Sequence, residues 1–274
     1  KKMHNKNKQP LIALSLSGGG AKTFAHLGVM DAFKEANIPI DYLATSSASS
    51  VVGLMAALDI PSQEIIKEFG QRRKWLKFVR GSMFKQVLKQ VLKEKKITNL
   101  DQTNIPISMV TVDIKTGQEI VFEKGDPLAI TLGSCAFPGI FKPIKYKKYY
   151  LVDGGVLNPD PADVARKKVG PNGIVVSITL RLELIEENPG NRLNTILKTT
   201  LLPPYKYRDK IIRENSDIII TPLENFKISF SNWKKTFLSY FSNDEMKRFY
   251  KKGYKIGQQF VPEIKKLIQD KKNN

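Results

Sequence analysis

The sequence predicts an α/β fold built on parallel strands, and three observations carry that reading. An apolar strand, Leu11-Ile12-Ala13-Leu14-Ser15-Leu16, runs into the glycine turn Ser17-Gly18-Gly19-Gly20-Ala21-Lys22. A second strand-to-helix junction follows, built almost wholly of small residues, Leu43-Ala44-Thr45-Ser46-Ser47-Ala48-Ser49-Ser50. A further buried strand, Gly173 to Leu180, comes after an intervening helix. Strand, glycine turn, helix, strand, helix is the opening of a parallel α/β sheet.

The elements follow in order. A helix is expected from about Thr23 to Ala36, with Phe24, Leu27, Val29, Met30 and Phe33 as its apolar stripe. Ile38 to Ala44 leads into the second strand. Ser49 to Leu58 reads as a buried apolar helix. Residues 61–100 form a basic amphipathic cap or lid. From Arg72 to Lys96 this stretch holds ten Lys or Arg against the single acid Glu94, interleaved with Trp75, Phe78, Phe84, Val87, Leu88, Val91 and Leu92. A pair of cap helices with a solvated basic face explains the same pattern. Ile107 to Asp113 is a strand, and Gly117 to Phe122 is its hairpin partner across Lys115-Thr116-Gly117. Leu128 to Cys135 is helical, stopped by Phe137-Pro138-Gly139. Tyr149 to Val152 is a strand that ends at Asp153-Gly154-Gly155. Pro161 to Lys168 is a helix, Ile218 to Ile220 a last short strand, and Asn243 to Ile268 a helical region kinked or broken at Pro262. Residues 1–9 are polar and expected to be disordered.

Composition narrows the chemistry. The chain has 274 residues, 41% of them hydrophobic, enough for one large core. A formal net charge of +19 attracts polyanions such as nucleic acid, anionic lipid surfaces or acidic substrates, although excess lysine also serves solubility alone. The lone Cys135 excludes an internal disulfide framework and a Cys/His metal cluster. A Ser-His-Asp triad would have to use His4 or His26, the only two histidines. His4 lies in the polar start, and His26 falls in the helix after the glycine turn, where a packed residue is the simpler reading. No apolar run approaches the roughly 18 residues of a membrane span. The sequence does not fix the location: it favours the cytoplasm or the periphery of a membrane and leaves secretion open, and it does not specify oligomeric state.

Three motifs carry chemistry, and each has an ordinary structural explanation. The glycine turn fits a dinucleotide loop poorly, since Thr23 stands where a third glycine belongs. It fits a P-loop worse: Lys22-Thr23 are present, but Leu16 and Ala21 replace the glycines. The remaining reading is an oxyanion hole from the N–H groups of Gly18 to Ala21 at a helix start. The serine cluster offers a nucleophile or simply helix caps. Asp153, at the end of a strand and followed by two glycines, points into a ligand crevice or closes a turn on its own backbone.

Taken in order, Ser17-Gly18-Gly19-Gly20-Ala21-Lys22, Thr45-Ser46-Ser47-Ala48-Ser49, Ser134-Cys135-Ala136-Phe137-Pro138-Gly139 and Asp153-Gly154-Gly155 make the chain resemble the patatin-like phospholipases. The resemblance covers residues 10–182. It implies a three-layer α/β/α fold with a mostly parallel central sheet, and residues 183–274 as a largely helical extension packed on that core. It implies a Ser-Asp dyad, with Ser47 as nucleophile and Asp153 as general base. The oxyanion hole would come from Gly18, Gly19, Gly20 and Ala21, supported by Lys22, with no metal and no cofactor. The implied function is lipid acyl hydrolysis of phospholipids or related esters at an anionic membrane surface, with Trp75, Phe78 and Phe84 dipping in. No nucleic-acid partner is expected. A lipid-binding protein of the same fold without activity, or a nucleotide- or nucleic-acid-binding α/β protein, is the alternative. Thr45 and Ser49 occupy the family's glycine positions around Ser47, and β-branched Thr45 is expected to reshape the turn.

Overall fold

A computed structural model describes residues 9–70, 82–180, 183–185, 195, 206–223, 227–229 and 242–273. The expectations for residues 1–8 and for Trp75 and Phe78 lie outside the described residues. The central sheet has eight strands: β1 (Ile12–Leu16), β2 (Tyr42–Ser46), β3 (Ile107–Asp113), β4 (Gln118–Phe122), β5 (Ile144–Tyr146), β6 (Tyr149–Asp153), β7 (Ile174–Ile178) and β9 (Ile218–Ile220). Strands β3, β2, β1, β7 and β9 lie side by side and all run parallel. Two short strands, β8 (Glu183–Ile185) and β10 (Lys227–Ser229), pair separately.

Parallel strands are covered on both faces, so their sequences read as nearly unbroken apolar runs. In β1 the alternation is resolved by packing. Ile12, Leu14 and Leu16 point into the large core shared with α1 (Phe24–Glu35), α2 (Ser49–Ala57) and α3 (Ser62–Gly70). Ala13 points the other way, with Tyr42, Ala44 and Val175, onto Ala165 of a helix that packs on that face. The result is three layers about a mostly parallel sheet.

The former lid region contributes α3 and, after the segment 71–81, α4 (Ser82–Glu94). Both pack into the core, through Ile65, Ile66 and Phe69 and through Val87, Leu88 and Leu92. Phe84 is half-buried, its ring 5.7 Å from Phe69, so it serves the core and does not stand out toward a bilayer. Helices α5 (Pro127–Ser134) and α6 (Ala162–Val169) complete the frame.

The last helix, α7 (Asn243–Asn273), lies against α1 as a further outer layer. It runs unbroken through Pro262, contrary to the expected interruption. The proline removes one hydrogen bond to the carbonyl of Gln258, an exposed residue that water reaches, which keeps the cost low. Among the described residues no helix is long and apolar enough to cross a membrane.

Candidate active site

Sheet geometry brings the two key residues together. Strand β4 occupies one edge of β3 from Met109 to Asp113. A strand has two edges, so β2 and β6 must share the other. β2 runs parallel to β3 and ends with Ser46 opposite Val110. β6 runs antiparallel and ends with Asp153 opposite Thr111. The two strands therefore meet nose to nose at adjacent register positions. Ser47, the residue after β2, and Asp153, the last of β6, fall at one point. Gly154 is required there: a Cβ on it would sit 2.3 Å from the Val110 carbonyl oxygen.

Ser47 Oγ donates to Asp153 Oδ2 at 2.7 Å. The Ser47 backbone is left-handed, with φ 61, an unusual state for a non-glycine residue and a mark of a tight strand-to-helix turn. Its peptide groups are clamped from the end of α5. The Ser47 N–H donates to Ser134 Oγ at 3.1 Å, and the Cys135 thiol donates to the Ser47 carbonyl at 3.1 Å. Burial, and then the Asp153 carboxylate, push that thiol well above its ordinary pKa, so it stays an S–H donor. Ser134 Oγ in turn donates to the Val110 carbonyl at 2.7 Å. Ser134 thus ties the turn at Ser47 to β3, a role that its place in a small-residue motif did not disclose. Ser134→Ala is expected to lower kcat about tenfold and to cost about 1–2 kcal/mol of stability. Steady-state kinetics and urea denaturation check this; an unchanged kcat would show that the clamp is dispensable.

Thr45 does not reshape the turn. It lies in β2 with extended backbone, which suits a β-branched residue, and the strain falls on Ser47 instead. Its methyl group finds room because residue 53 is glycine; a Cβ there would lie 2.8 Å from Thr45 Cγ2. Its hydroxyl donates to the Ser108 carbonyl at 2.9 Å. Ser49 is equally at home: its Oγ accepts from the Ser46 N–H at 3.0 Å and lies 2.7 Å from the Leu16 carbonyl.

Asp153 is 2% exposed. Burial raises its pKa from 3.8 to about 7, against the hydrogen bonds from Ser47 and from the Gly155 N–H, which reaches Oδ1 at 2.8 Å. His26 is fully buried. Its Nε2 donates to the Ser17 carbonyl at 2.9 Å, and burial lowers its pKa to about 4, so it is a neutral brace of the glycine turn.

The glycine turn passes beside Ser47. A Cβ on Gly18 would lie 2.9 Å from Ser47 Cβ. The expectation that Gly18 supplies an oxyanion donor needs correction, because its N–H donates to the Pro159 carbonyl at 2.9 Å. Gly18 contributes its missing side chain, which lets the turn pass close to Ser47. Gly20 takes φ 59 and opens a 3-10 turn in which the Lys22 N–H donates to the Gly19 carbonyl at 3.3 Å, while the N–H groups of Gly20 and Ala21 have no intrahelical acceptor. Lys22 is buried, which lowers its pKa to about 7. Asp160, beside Pro159, is buried 3.6 Å from Arg208 Nε and links helical residues 206–215 to this loop.

Fold and site together define an α/β protein that presents a serine–carboxylate pair on a strained turn at the carboxyl edge of its sheet. A family model described as patatin-like phospholipase matches residues 14–166, more than half of the sequence, and the chain belongs to that family. An uncharacterized NTE family protein of Mycobacterium tuberculosis is 29% identical over 171 residues, 57% of this chain and 45% of that protein. The human patatin-like phospholipase domain-containing protein 6 is 28% identical over 187 residues, 61% of this chain and 13% of that protein. The chain thus spans less than half the length of these relatives. Among solved structures, VipD from Legionella pneumophila aligns over 93% of this chain and 67% of its own, at 14% identity and a TM-score of 0.47. The type III effector ExoU aligns over 99% and 57%, at 12% identity and 0.41.

Proposed function

We propose that the protein is a lipid acyl hydrolase that cleaves carboxylic esters, phospholipids among them, through Ser47 and Asp153. The observation that carries this is the 2.7 Å hydrogen bond from Ser47 Oγ to a buried carboxylate, made from a left-handed serine. Asp153 accepts the hydroxyl proton as Ser47 Oγ attacks the ester carbonyl. The carbonyl oxygen becomes an oxyanion beside the N–H groups of Gly19, Gly20 and Ala21. The tetrahedral species collapses to an acyl-serine, and protonated Asp153 returns its proton to the leaving alcohol oxygen. Water then gives its proton to Asp153, attacks the acyl carbon and releases the fatty acid, with the proton restored to Ser47. A base with a pKa near 7 is well matched to both directions of transfer near neutral pH.

His26 takes no part, since its one donor is spent on Ser17. The lipid-binding alternative drew on a turn disturbed by Thr45 and Ser49, and neither residue disturbs it. The test is labelling with a fluorophosphonate, read by mass spectrometry, alongside fatty-acid release from mixed phospholipids. Wild type is expected to carry one label, on Ser47, and to release fatty acid. Folded Ser47→Ala is expected to do neither. Release by Ser47→Ala at the wild-type rate would remove Ser47 from its role.

A further inference from the structure

We propose that the protein docks on anionic bilayers through the exposed lysine face of the first half of α7, an assignment that rests on the lipid-hydrolase reading and gives it an orientation. Within nine residues, Lys247, Arg248, Lys251, Lys252 and Lys255 are all exposed. Their spacing places them on one side of the helix, where they border a common shallow depression with Asp244. Glu245 pairs with Arg248 at 3.0 Å. Among the described residues none of the four lysines is paired with a carboxylate, and Asp244 is the acid left on that face. The opposite side of the helix, Met246, Phe249, Gly253 and Gly257, is buried against the rest of the molecule.

The position of this face connects it to the site. α7 runs in the same direction as α1. A Cβ on Gly253 would meet the Ala25 carbonyl oxygen, and one on Gly257 would meet Val29 and Ala32. Ala25 is the second residue of α1, directly after the glycine turn. Going back from Gly253 toward Lys247 therefore moves toward the carboxyl edge of the sheet, by about 9 Å at 1.5 Å per residue. Lys247, Lys251 and Lys252 stand level with the glycine turn or past it, on the outer surface, and Lys255 follows Gly253 by about 3 Å. α7 also meets the 3-10 turn itself and, through Asn243, the end of α3 at Gly70.

The chemistry of the face favours a lipid surface over a nucleic acid. Four ammonium groups on flexible stems make a diffuse positive field, which suits a mobile array of anionic headgroups. Single-stranded nucleic acid calls for aromatic platforms as well. The aromatic residues beside the lysines, Tyr250 and Tyr254, are half-buried, and their hydroxyls donate inward to Asp31 and Glu35 of α1. A bilayer held here would lie at the end of the molecule where Ser47 is found.

The experiment compares binding to phosphatidylserine-containing and pure phosphatidylcholine vesicles for wild type, for Lys247→Gln/Lys251→Gln/Lys252→Gln/Lys255→Gln, and for a control of equal charge loss, Lys167→Gln/Lys265→Gln/Lys266→Gln/Lys272→Gln. All eight positions are exposed. The α7 variant is expected to lose about 100-fold in affinity for the anionic vesicles and the control less than about fivefold. Wild type is expected to lose binding as salt rises. Both variants are expected to hydrolyse a soluble short-chain ester at the wild-type rate. Ser47→Ala is expected to bind vesicles as wild type does, so a failure of the catalytic reading leaves this readout intact. Equal losses in the two quadruple variants, wild-type binding indifferent to phosphatidylserine, or tighter binding to RNA than to vesicles at the same salt would each overturn the assignment.

Discussion

Asp153→Asn is expected to lower kcat/KM for an ester at pH 8 by about 10³–10⁴-fold, the range that a positioned base contributes, while making the folded protein more stable. The two effects share one cause. The carboxylate is 2% exposed, and burial lifts its pKa from 3.8 to about 7. A folded pKa above the unfolded one means that the folded state holds its proton more tightly. Wild type therefore carries no penalty below pH 3.8, acquires one as pH rises from there to about 7, and carries it in full above that. The asparagine variant has no such group. Its stability gain should be about 2 kcal/mol at pH 8, part of the roughly 4 kcal/mol that three pKa units represent, and should fade as pH falls toward 4. Thermal melts of both proteins across this window test the sign. On the kinetic side, wild-type kcat/KM should fall tenfold per pH unit below about 7, as the base becomes protonated, and the residual rate of the variant should not share that limb. A variant that kept its rate and gained no stability at pH 8 would show that the carboxylate is neither base nor strained by burial.

The parallel strands were legible because burial on both faces leaves a simple mark, the nearly continuous apolar runs at residues 12–16, 107–112 and 174–178, broken only by small hydroxyl residues. Ser47 and Asp153 were legible through short motifs, yet their meeting was not. It depends on β2 and β6 ending at neighbouring positions along β3, a register that no local pattern states. The misfit expected at Thr45 dissolved for a similar reason. Its methyl group is accommodated by Gly53, eight residues away and one helical layer up, and a motif read along the chain cannot see that pairing. Gly18 shows the converse. The sequence offered its N–H to an oxyanion, but Pro159, brought in by the loop after Asp153, takes it first. Pro262 was expected by local rule to kink or break the helix, and burial of Met246 and Phe249 before it and of Ile264 and Ile268 after it overrode the rule.

Gly253→Val is expected to cost about 4 kcal/mol or more, the largest stability effect of any single change considered, although it replaces a poor helix former inside a helix. α1 and α7 cross with their backbones almost touching. A Cβ on Gly253 would lie 1.9 Å from the Ala25 carbonyl oxygen, and a Cβ on Gly28 would lie 2.1 Å from the Tyr250 carbonyl oxygen. Glycines at 28 and 253 each sacrifice about 1 kcal/mol of helix propensity relative to alanine. What offsets this is the contact they permit: Met246, Phe249 and Ile264 of α7 are fully buried against the core. A side chain at 253 meets backbone, which cannot rotate aside, so the helices must separate and those apolar groups lose their packing. Overpacking of side chains alone costs about 1–3 kcal/mol, and a backbone clash exceeds that. Gly253→Ala makes the decisive comparison, because propensity and packing predict opposite signs. Propensity alone would stabilise by about 1 kcal/mol; the crossing predicts a net loss of about 2–3 kcal/mol. Gly117→Ala serves as the control. Its φ is 68 and a Cβ there meets nothing within 4 Å, so the only cost is an added backbone strain of about 1–2 kcal/mol. Denaturant unfolding of the three variants, at a pH where Asp153 is fully ionised, measures each difference. A gain in stability for Gly253→Ala would mean that the helices do not cross this closely, and α7 would then lose its fixed height beside the glycine turn.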